Sequence, residues 1–482
     1  VTQGHAPVST SRASASRRRW VGQYGATYDD AVDLAALRQA HRARYAERAV
    51  LNVDGNTAAA IPFVQWWRAP IIAGFPITPS TKWLEHLAAE CQSGRLDVEV
   101  GGRKVRGKRV KLLESEHAVA DYLVGIAGSY RELITGTATS SVGLDHMTET
   151  LRSLGASGLG NVVLVNVCRA TANYPLCIEG DPSDTLAQRD SGFIQVMCRG
   201  RQQIYDTVLQ LPAVGMNPDV LTPTMPVLYG IKDSHRSGQL VVEADHDVND
   251  FLDDCLASLA GGRHPRYADF LETSGREELV SPPGLLDGDT SMGSCVTSAW
   301  FQGFKVGQKE RQQRALSVLA EVSTRFEQRF GRKGIEPFES HYMEGAEVVL
   351  ACMGPDAGTA IALVPRLSEE LGMRIGVLVA RVLTPFPSRA WAEALEGAKA
   401  IGVVNNAHHH GRGHLTLDVE DALAEAGRAP PVEAFFCGLG GADVSVSTWK
   451  AIASVTVEAA RRGRPARRWH LLHDGVELSE ER

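Results

Sequence analysis

The sequence predicts an α/β protein built from doubly wound sheets in two successive units. Short apolar runs at Leu133 to Ser140, Asn161 to Val167, Val227 to Ile231, Gly376 to Val382 and Ala400 to Asn405 have the length of strands. Asn161 to Val167 is a near-continuous apolar run, typical of a parallel strand covered on both faces. Helical stretches long enough for crossover connections separate the runs. The chain of 482 residues, 44% hydrophobic and 22% charged, exceeds one small core and has a globular composition.

Residues 1–48 are expected to form a basic arm and a helix. Val1 to Arg19 ends in Arg17-Arg18-Arg19 with no apolar stretch behind it, so it does not make a secretory signal, and Ala31 to Arg48 is a charged helical segment. The first unit is expected over 49–280. It opens with a helix from Ala58 to Trp67, a strand from Pro70 to Gly74 and a helix from Lys82 to Glu90 with Ser80 or Thr81 as its cap. A helix of small and apolar residues runs from Glu116 to Ser129 behind Ser115, and the acidic stretch Val248 to Leu259 closes the unit. Breaks at Ser281-Pro282-Pro283-Gly284 and Gly288-Asp289 introduce a linker over 281–344 that carries a charged amphipathic helix, Gln308 to Phe330. The second unit, 345–460, begins with a strand from Ala346 to Gly354 and a helix through Leu367. The turn Gly354-Pro355-Asp356-Ala357-Gly358 could receive a phosphate on free N–H groups. Its spacing lacks the dinucleotide fingerprint, and tight packing of helix on sheet explains it equally well. Residues 461–482 form a tail, basic and then acidic.

A net charge of −7 gives no overall attraction to nucleic acid, and no apolar run is long enough to span a bilayer. The basic run Arg103 to Lys111, with Val98, Val100, Val105 and Val110 around Gly101-Gly102, reads as a hairpin with charges on a solvated face; docking on an acidic partner is the alternative. The eight cysteines are scattered without a Cys-x-x-Cys pair, which argues for reduced structural thiols in a cytoplasm. Asp181 and Asp184 suit a turn better than a metal pair. His408-His409-His410 with His414 reads as a surface loop, because adjacent side chains on extended backbone point in different directions. No metal is expected on this chain.

Three places could carry chemistry. In Gly74-Phe75-Pro76-Ile77-Thr78-Pro79-Ser80, two prolines push Phe75 and Thr78 toward extended backbone, so a hydroxyl is offered from a stiff platform. Glu116 opens an apolar helix, where it is either a carboxylate favoured by the dipole or a proton-sharing group with a raised pKa. Arg169 ends a strand, where it either forms an ion pair with Glu179, Asp181 or Asp184 or offers its fork to a carboxylate.

The ordered set Asp54-Gly55-Asn56-Thr57-Ala58-Ala59, Pro76-Ile77-Thr78-Pro79-Ser80, Ser115-Glu116, Arg169, Gly180-Asp181-Pro182-Ser183-Asp184 and Gln188-Arg189-Asp190-Ser191-Gly192-Phe193 resembles the α subunit of heteromeric 2-oxoacid:ferredoxin oxidoreductases, the pyruvate:ferredoxin oxidoreductase family. Met353-Gly354 and Arg381-Val382-Leu383-Thr384-Pro385-Phe386-Pro387 extend the resemblance into the second half, so that it covers about Leu51 to Val455. It implies a pyrimidine-type thiamine-diphosphate-binding domain followed by a transketolase-C-terminal-like α/β domain. Glu116 would hydrogen-bond the pyrimidine of thiamine diphosphate, with Pro76, Ile77 and Ser141 beside the cofactor, and Thr78 and Arg169 would hold the carboxylate of a 2-oxoacid. The product would be an acyl-coenzyme A.

The chain has no Gly-Asp-Gly segment followed by asparagine and no cysteine cluster. The resemblance therefore implies a β subunit with the diphosphate and magnesium site, 4Fe–4S clusters in partner subunits including a ferredoxin-like chain, a γ subunit, and ferredoxin or an NAD(P)-linked acceptor. Ala172-Asn173-Tyr174-Pro175 after Arg169 departs from the family and leaves open an aryl substrate such as phenylglyoxylate beside pyruvate-like acids. The competing readings are a non-oxidative, transketolase-like thiamine enzyme and a non-catalytic scaffold subunit.

Overall fold

The structure, a computed structural model, describes residues 19–21, 27–29, 38, 41–100, 103–106, 108–130, 132–171, 175–259, 297–407 and 411–477. Most of the N-terminal arm, residues 31–37, 39 and 40, the Gly101-Gly102 turn, Tyr174, the two linker breaks and His408 to His410 lie outside these residues, and residues 41–48, expected as the end of a helix, are irregular.

Two sheets organise the rest. The first runs Thr135–Thr139, Val162–Cys168, Thr224–Tyr229, Ile194–Met197, Val382–Thr384. Its first four strands are parallel, and every residue in them is buried, as runs without alternation require. The fifth, antiparallel to Ile194–Met197, comes from far along the chain, beyond the first strand of the second sheet. That second sheet runs Phe338–His341, Ile375–Ala380, Val348–Met353, Ala400–Asn405, Val432–Phe436, His470–His473, Val476–Glu477. Its five middle strands are parallel and both edges antiparallel. One apolar cluster contains Leu164, Val227 and Tyr229 of the first sheet and Ala351, Leu378 and Ile401 of the second, so the sheets share a core.

The helix expected from Ala58 to Trp67 spans Gly55–Gln65. It starts earlier because the Asp54 side chain caps it, accepting from the Thr57 N–H at 2.9 Å. Nearly all of it is buried, and Phe63 meets Trp83 edge-on at 5.1 Å. Ser80 precedes the helix Thr81–Gln92 without capping it, since its hydroxyl donates back to the Ile77 carbonyl at 2.8 Å. Glu116–Ser129 has the expected bounds, with the Ser115 Oγ accepting from the Ala118 N–H at 3.2 Å. The linker helix begins at Ser298 rather than Gln308. Its buried positions among the described residues, including Ala315, Leu319, Val322 and Phe326, lie in the later part, where periodicity could be read.

The basic run is corrected in two respects. Asp97–Val100 pairs with Arg103–Arg106 as an antiparallel hairpin, but Val110 belongs to Arg109–Leu112, which pairs in parallel with Ile71–Gly74. Nor are all its charges solvated. Lys108 is buried and donates to the Trp66 carbonyl at 2.5 Å and the Ala69 carbonyl at 3.0 Å. Those carbonyls lie at and beyond the end of the Gly55 helix, where intrahelical partners run out. Burial brings the lysine pKa down to about 7.

Candidate active site

The carboxyl ends of Thr135–Thr139, Val162–Cys168 and Thr224–Tyr229 form one rim of the first sheet, the edge at which open parallel sheets receive ligands. The Thr78 loop connects strand Ile71–Gly74 to helix Thr81–Gln92 at this rim. Asn56, fully buried in the first turn of its helix, holds the loop by donating from Nδ2 to the Pro79 carbonyl at 2.9 Å and the Ser234 carbonyl at 3.2 Å. Pro76 and Thr78 are exposed and Ile77 is half-buried.

Arg169 follows strand Val162–Cys168 and is buried. Its Nη1 donates to the Thr78 carbonyl at 2.7 Å, while Nε is buried without a hydrogen-bond partner. The ion pair offered as the alternative does not form among the described residues. Asp184 instead accepts from the main-chain N–H of Arg169 at 3.0 Å. Asp181 accepts from the N–H groups of Ser183 at 3.0 Å and Gly440 at 2.8 Å, which makes it a turn residue as expected.

Asp184 joins the pieces. Its Oδ2 also accepts from the Ser141 N–H at 2.8 Å, and its Oδ1 accepts from Asn166 Nδ2 at 3.2 Å and the Thr185 N–H at 2.5 Å. Burial pushes its pKa up to about 6 in spite of these bonds, so the carboxyl is spent on scaffolding rather than on an ion. Ser141 is held from both sides, its hydroxyl donating to the Ala170 carbonyl at 3.0 Å, and its backbone has φ 46°, ψ −120°. A non-glycine residue at positive φ persists only where its surroundings impose it, and such residues cluster at functional sites.

Glu116 sits at the opening of its helix, where the dipole favours a carboxylate, with Val119, Ala120 and Leu123 buried in the following turns. The residue is 7% exposed. Its Oε2 lies 3.3 Å from Nδ1 of His146, and its Oε1 lies over Gly143. A Cβ at Gly143 would come within 2.6 Å of Thr139 Oγ1 and 2.9 Å of Glu116 Oε1, so a side chain there would have to displace these two.

Thr139 Oγ1, Ser140 Oγ, Asn166 Oδ1 and Arg169 Nε are all buried at this rim without a protein partner. Unpartnered buried polar atoms are costly, and these four belong to residues in or directly after the strands Thr135–Thr139 and Val162–Cys168. Such a donor set suits an anionic carboxylate at Arg169 and a protonatable heterocyclic nitrogen at Glu116. Among the described residues no group of His, Cys, Asp and Glu could hold a metal ion. The seven described cysteines are all buried except the half-buried Cys177.

The sequence singled out Glu116, Arg169, Ser141 and the Thr78 loop as candidates, and did not single out Asn56 as the loop's anchor, Asp184 as the joint, Gly143 or His146. Gly143, directly after a strand end rich in small residues, carried a signal of close approach. At the second sheet, Gly354 has φ +73° and leaves room for the Tyr229 ring, 2.4 Å from where its Cβ would stand. Lys232 binds the neighbouring Asp356 at 2.9 Å. Both contacts favour packing as the purpose of that turn.

Residues 67–269 match the family described as "Pyruvate flavodoxin/ferredoxin oxidoreductase, thiamine diP-bdg", and residues 346–449 match "Pyruvate:ferredoxin oxidoreductase core domain II". The pyruvate synthase subunit PorA of Methanocaldococcus jannaschii is 30% identical over 403 residues, 83% of this chain and 94% of that one. The ketoisovalerate oxidoreductase subunit VorA of Pyrococcus horikoshii is 29% identical, covering 86% and 95%. The alpha subunit of the NADH-dependent phenylglyoxylate dehydrogenase of Aromatoleum evansii is 27% identical, covering 82% and 88%. A solved 2-oxoglutarate:ferredoxin oxidoreductase from Magnetococcus marinus shares the fold, with a TM-score of 0.58 at 17% identity. The likeness covers 85% of this chain and 65% of that one.

Proposed function

The chain belongs to the α subunits of the pyruvate:ferredoxin oxidoreductase family, and from that premise we propose that Glu116, Thr78 and Arg169 form its half of a thiamine and 2-oxoacid site. The enzyme is a 2-oxoacid oxidoreductase that decarboxylates its substrate to an acyl-coenzyme A and passes the electrons to partner subunits. The observation that carries the residue assignment is the buried Arg169 guanidinium, fixed to the Thr78 loop by one nitrogen and unpartnered at Nε.

When bound, thiamine diphosphate supplies the electron sink that lets a carboxyl group leave as carbon dioxide. Glu116 would hold the pyrimidine nitrogen through a carboxylate oxygen, with Pro76, Ile77 and Ser141 lining the cofactor. Arg169 would take the substrate carboxylate on its free edge, and Thr78 would add a hydroxyl donor. A single cation with a neutral donor orients the carboxylate without holding it so tightly that its departure is opposed. The buried rim keeps water from the cation, which strengthens the contact.

The reading extends to partners. The diphosphate and magnesium site would lie on a β subunit, 4Fe–4S clusters on partner chains including a ferredoxin-like subunit, and coenzyme A contacts partly on a γ subunit. Ferredoxin or an NAD(P)-linked protein would accept the electrons in the cytoplasm. No helix among the described residues is long and apolar enough to cross a membrane. The division into units at 49–280 and 345–460 belongs to the same proposal, with the second sheet reaching past the latter to Phe338–His341 on one side and to His470–His473 and Val476–Glu477 on the other.

Glu116→Gln tests the assignment. Glutamine keeps the size and a hydrogen bond but cannot take a proton, so turnover should fall by about a hundredfold or more while the complex assembles normally. Near-normal decarboxylation of a 2-oxoacid by that variant would sink the role given to Glu116.

A further inference from the structure

We infer that His146 is a positioning residue for Glu116, an inference that rests on the pairing of Glu116 with the pyrimidine nitrogen. One short helix, Val142–His146, touches both carboxylate oxygens: Gly143 lies under Oε1, and His146 places Nδ1 3.3 Å from Oε2. A carboxylate is acceptor-only, so the histidine nitrogen facing it carries a hydrogen in either charge state of the ring. Oε2 is therefore engaged from the outer side, where the His146 side chain is 57% exposed, and no hydrogen bond is made to Oε1 among the described residues.

The surroundings brace this arrangement. His117, next to Glu116 on the same helix, stands 6.1 Å from the His146 ring, centroid to centroid. Its Nε2 lies 3.5 Å from Asp121 Oδ2, and Asp121 Oδ1 accepts from the Thr150 hydroxyl at 2.8 Å. Thr150 belongs to the helix that follows His146, so the outer wall of the carboxylate is tied across two elements. A glutamate side chain loses rotamer freedom when it is fixed, and a hydrogen bond to one oxygen bears that cost before any ligand arrives. The other oxygen is then presented in one orientation to a heterocyclic nitrogen. Nothing in the chemistry requires histidine itself; it requires a donor at the position of Nδ1.

The discriminating substitutions are His146→Asn, which keeps a donor near that position, His146→Leu, which removes it, and His146→Gln, which moves it one atom outward. In the native complex we would titrate thiamine diphosphate for its dissociation constant and follow the near-ultraviolet circular dichroism that distinguishes the amino and imino forms of the pyrimidine. Losing a hydrogen bond to a charged group should weaken cofactor binding by about tenfold in His146→Leu and lower the imino signal. His146→Gln should resemble the leucine variant, and His146→Asn should return to within about threefold of the native complex. Native behaviour of His146→Leu beside an impaired Glu116→Gln would overturn the inference and leave the pyrimidine assignment standing. Native behaviour of both variants would remove the assignment itself. Equal impairment of the asparagine and leucine variants would also overturn the inference, because the donor would then not be what matters.

Discussion

At the scale of single residues, the side chains of Asp184 and Arg169 find most of their partners in main-chain atoms. Asp184 is occupied by N–H groups of Ser141, Arg169 and Thr185, and Arg169 by the carbonyl of Thr78. Arg169→Lys keeps the charge but loses the fork, so one ammonium cannot hold the Thr78 carbonyl and a ligand carboxylate in the same geometry. Steady-state kinetics on the assembled enzyme should show KM for the 2-oxoacid rising roughly tenfold or more, with kcat changed less. An unchanged KM would leave the guanidinium a purely structural part. The competition between ion pair and ligand fork at Arg169 could not be decided from the sequence, because the acidic residues near it were free to take either role until the loops met. His146 was invisible for a different reason: an exposed histidine at the end of a five-residue helix has no periodic pattern to mark it. Lys108 hid in a run of like charges, where only the loose carbonyls at the end of a distant helix reveal its purpose.

At the scale of elements, two glycines, one against the Glu116 carboxylate and one further along the Glu116 helix, make opposite demands. Gly143 lies in contact with Thr139 and Glu116, so a methyl group there must displace the Glu116 side chain. Gly125, inside the Glu116 helix, would meet nothing within 4 Å. Gly125→Ala should stabilise the chain by about 0.5–1 kcal/mol, through helix propensity and a less flexible unfolded chain. Gly143→Ala should cut turnover by tenfold or more, since a misplacement of about 1 Å suffices for such losses. Melting curves and turnover on the two variants separate the effects, and a fully active Gly143→Ala would contradict the tight apposition. Elements with local signals were legible: Glu116–Ser129 and Ala400–Asn405 have the bounds read from the sequence. Arg109–Leu112 was not, because its parallel partner Ile71–Gly74 lies across a whole helix and hairpin, and no turn residue announces a pairing of that kind.

At the scale of the molecule, the two sheets are fastened by charges that cross between them. Arg381 is buried and donates to the Met197 carbonyl at 2.6 Å and to Thr207 Oγ1 at 2.9 Å. Lys232 reaches Asp356, and Arg199 forms a bidentate pair with Glu339 that Gln203 joins at 2.9 Å. Burial opposes ionisation of Glu339, but hydrogen bonds from Arg199 and Gln203 outweigh it and hold its pKa down to about 2, against the usual 4.5. A carboxyl depressed in the folded state stabilises the fold above about pH 4.5, and that contribution is lost as pH falls toward 2. Denaturation of the native chain and of Glu339→Gln should therefore show a stability gap that is constant from pH 7 to pH 5 and narrows below about pH 4.5. A gap independent of pH would mean that the pair contributes nothing through its charge. That the chain holds two doubly wound sheets was readable from its strand runs; that the first takes its fifth strand from the later part of the chain was not, since Val382–Thr384 reads as the continuation of its neighbour Ile375–Ala380. That late-arriving strand bears on how the protein is made. Thr384 donates to Gln195 across 189 residues of chain, so a ribosome working at about 5–20 residues per second releases the sheet edge at Ile194–Met197 roughly 10 to 40 s before the strand that covers it. During that interval the nascent protein carries a bare apolar edge of the kind that invites pairing with a neighbouring chain, and a chaperone has its clearest reason to attend.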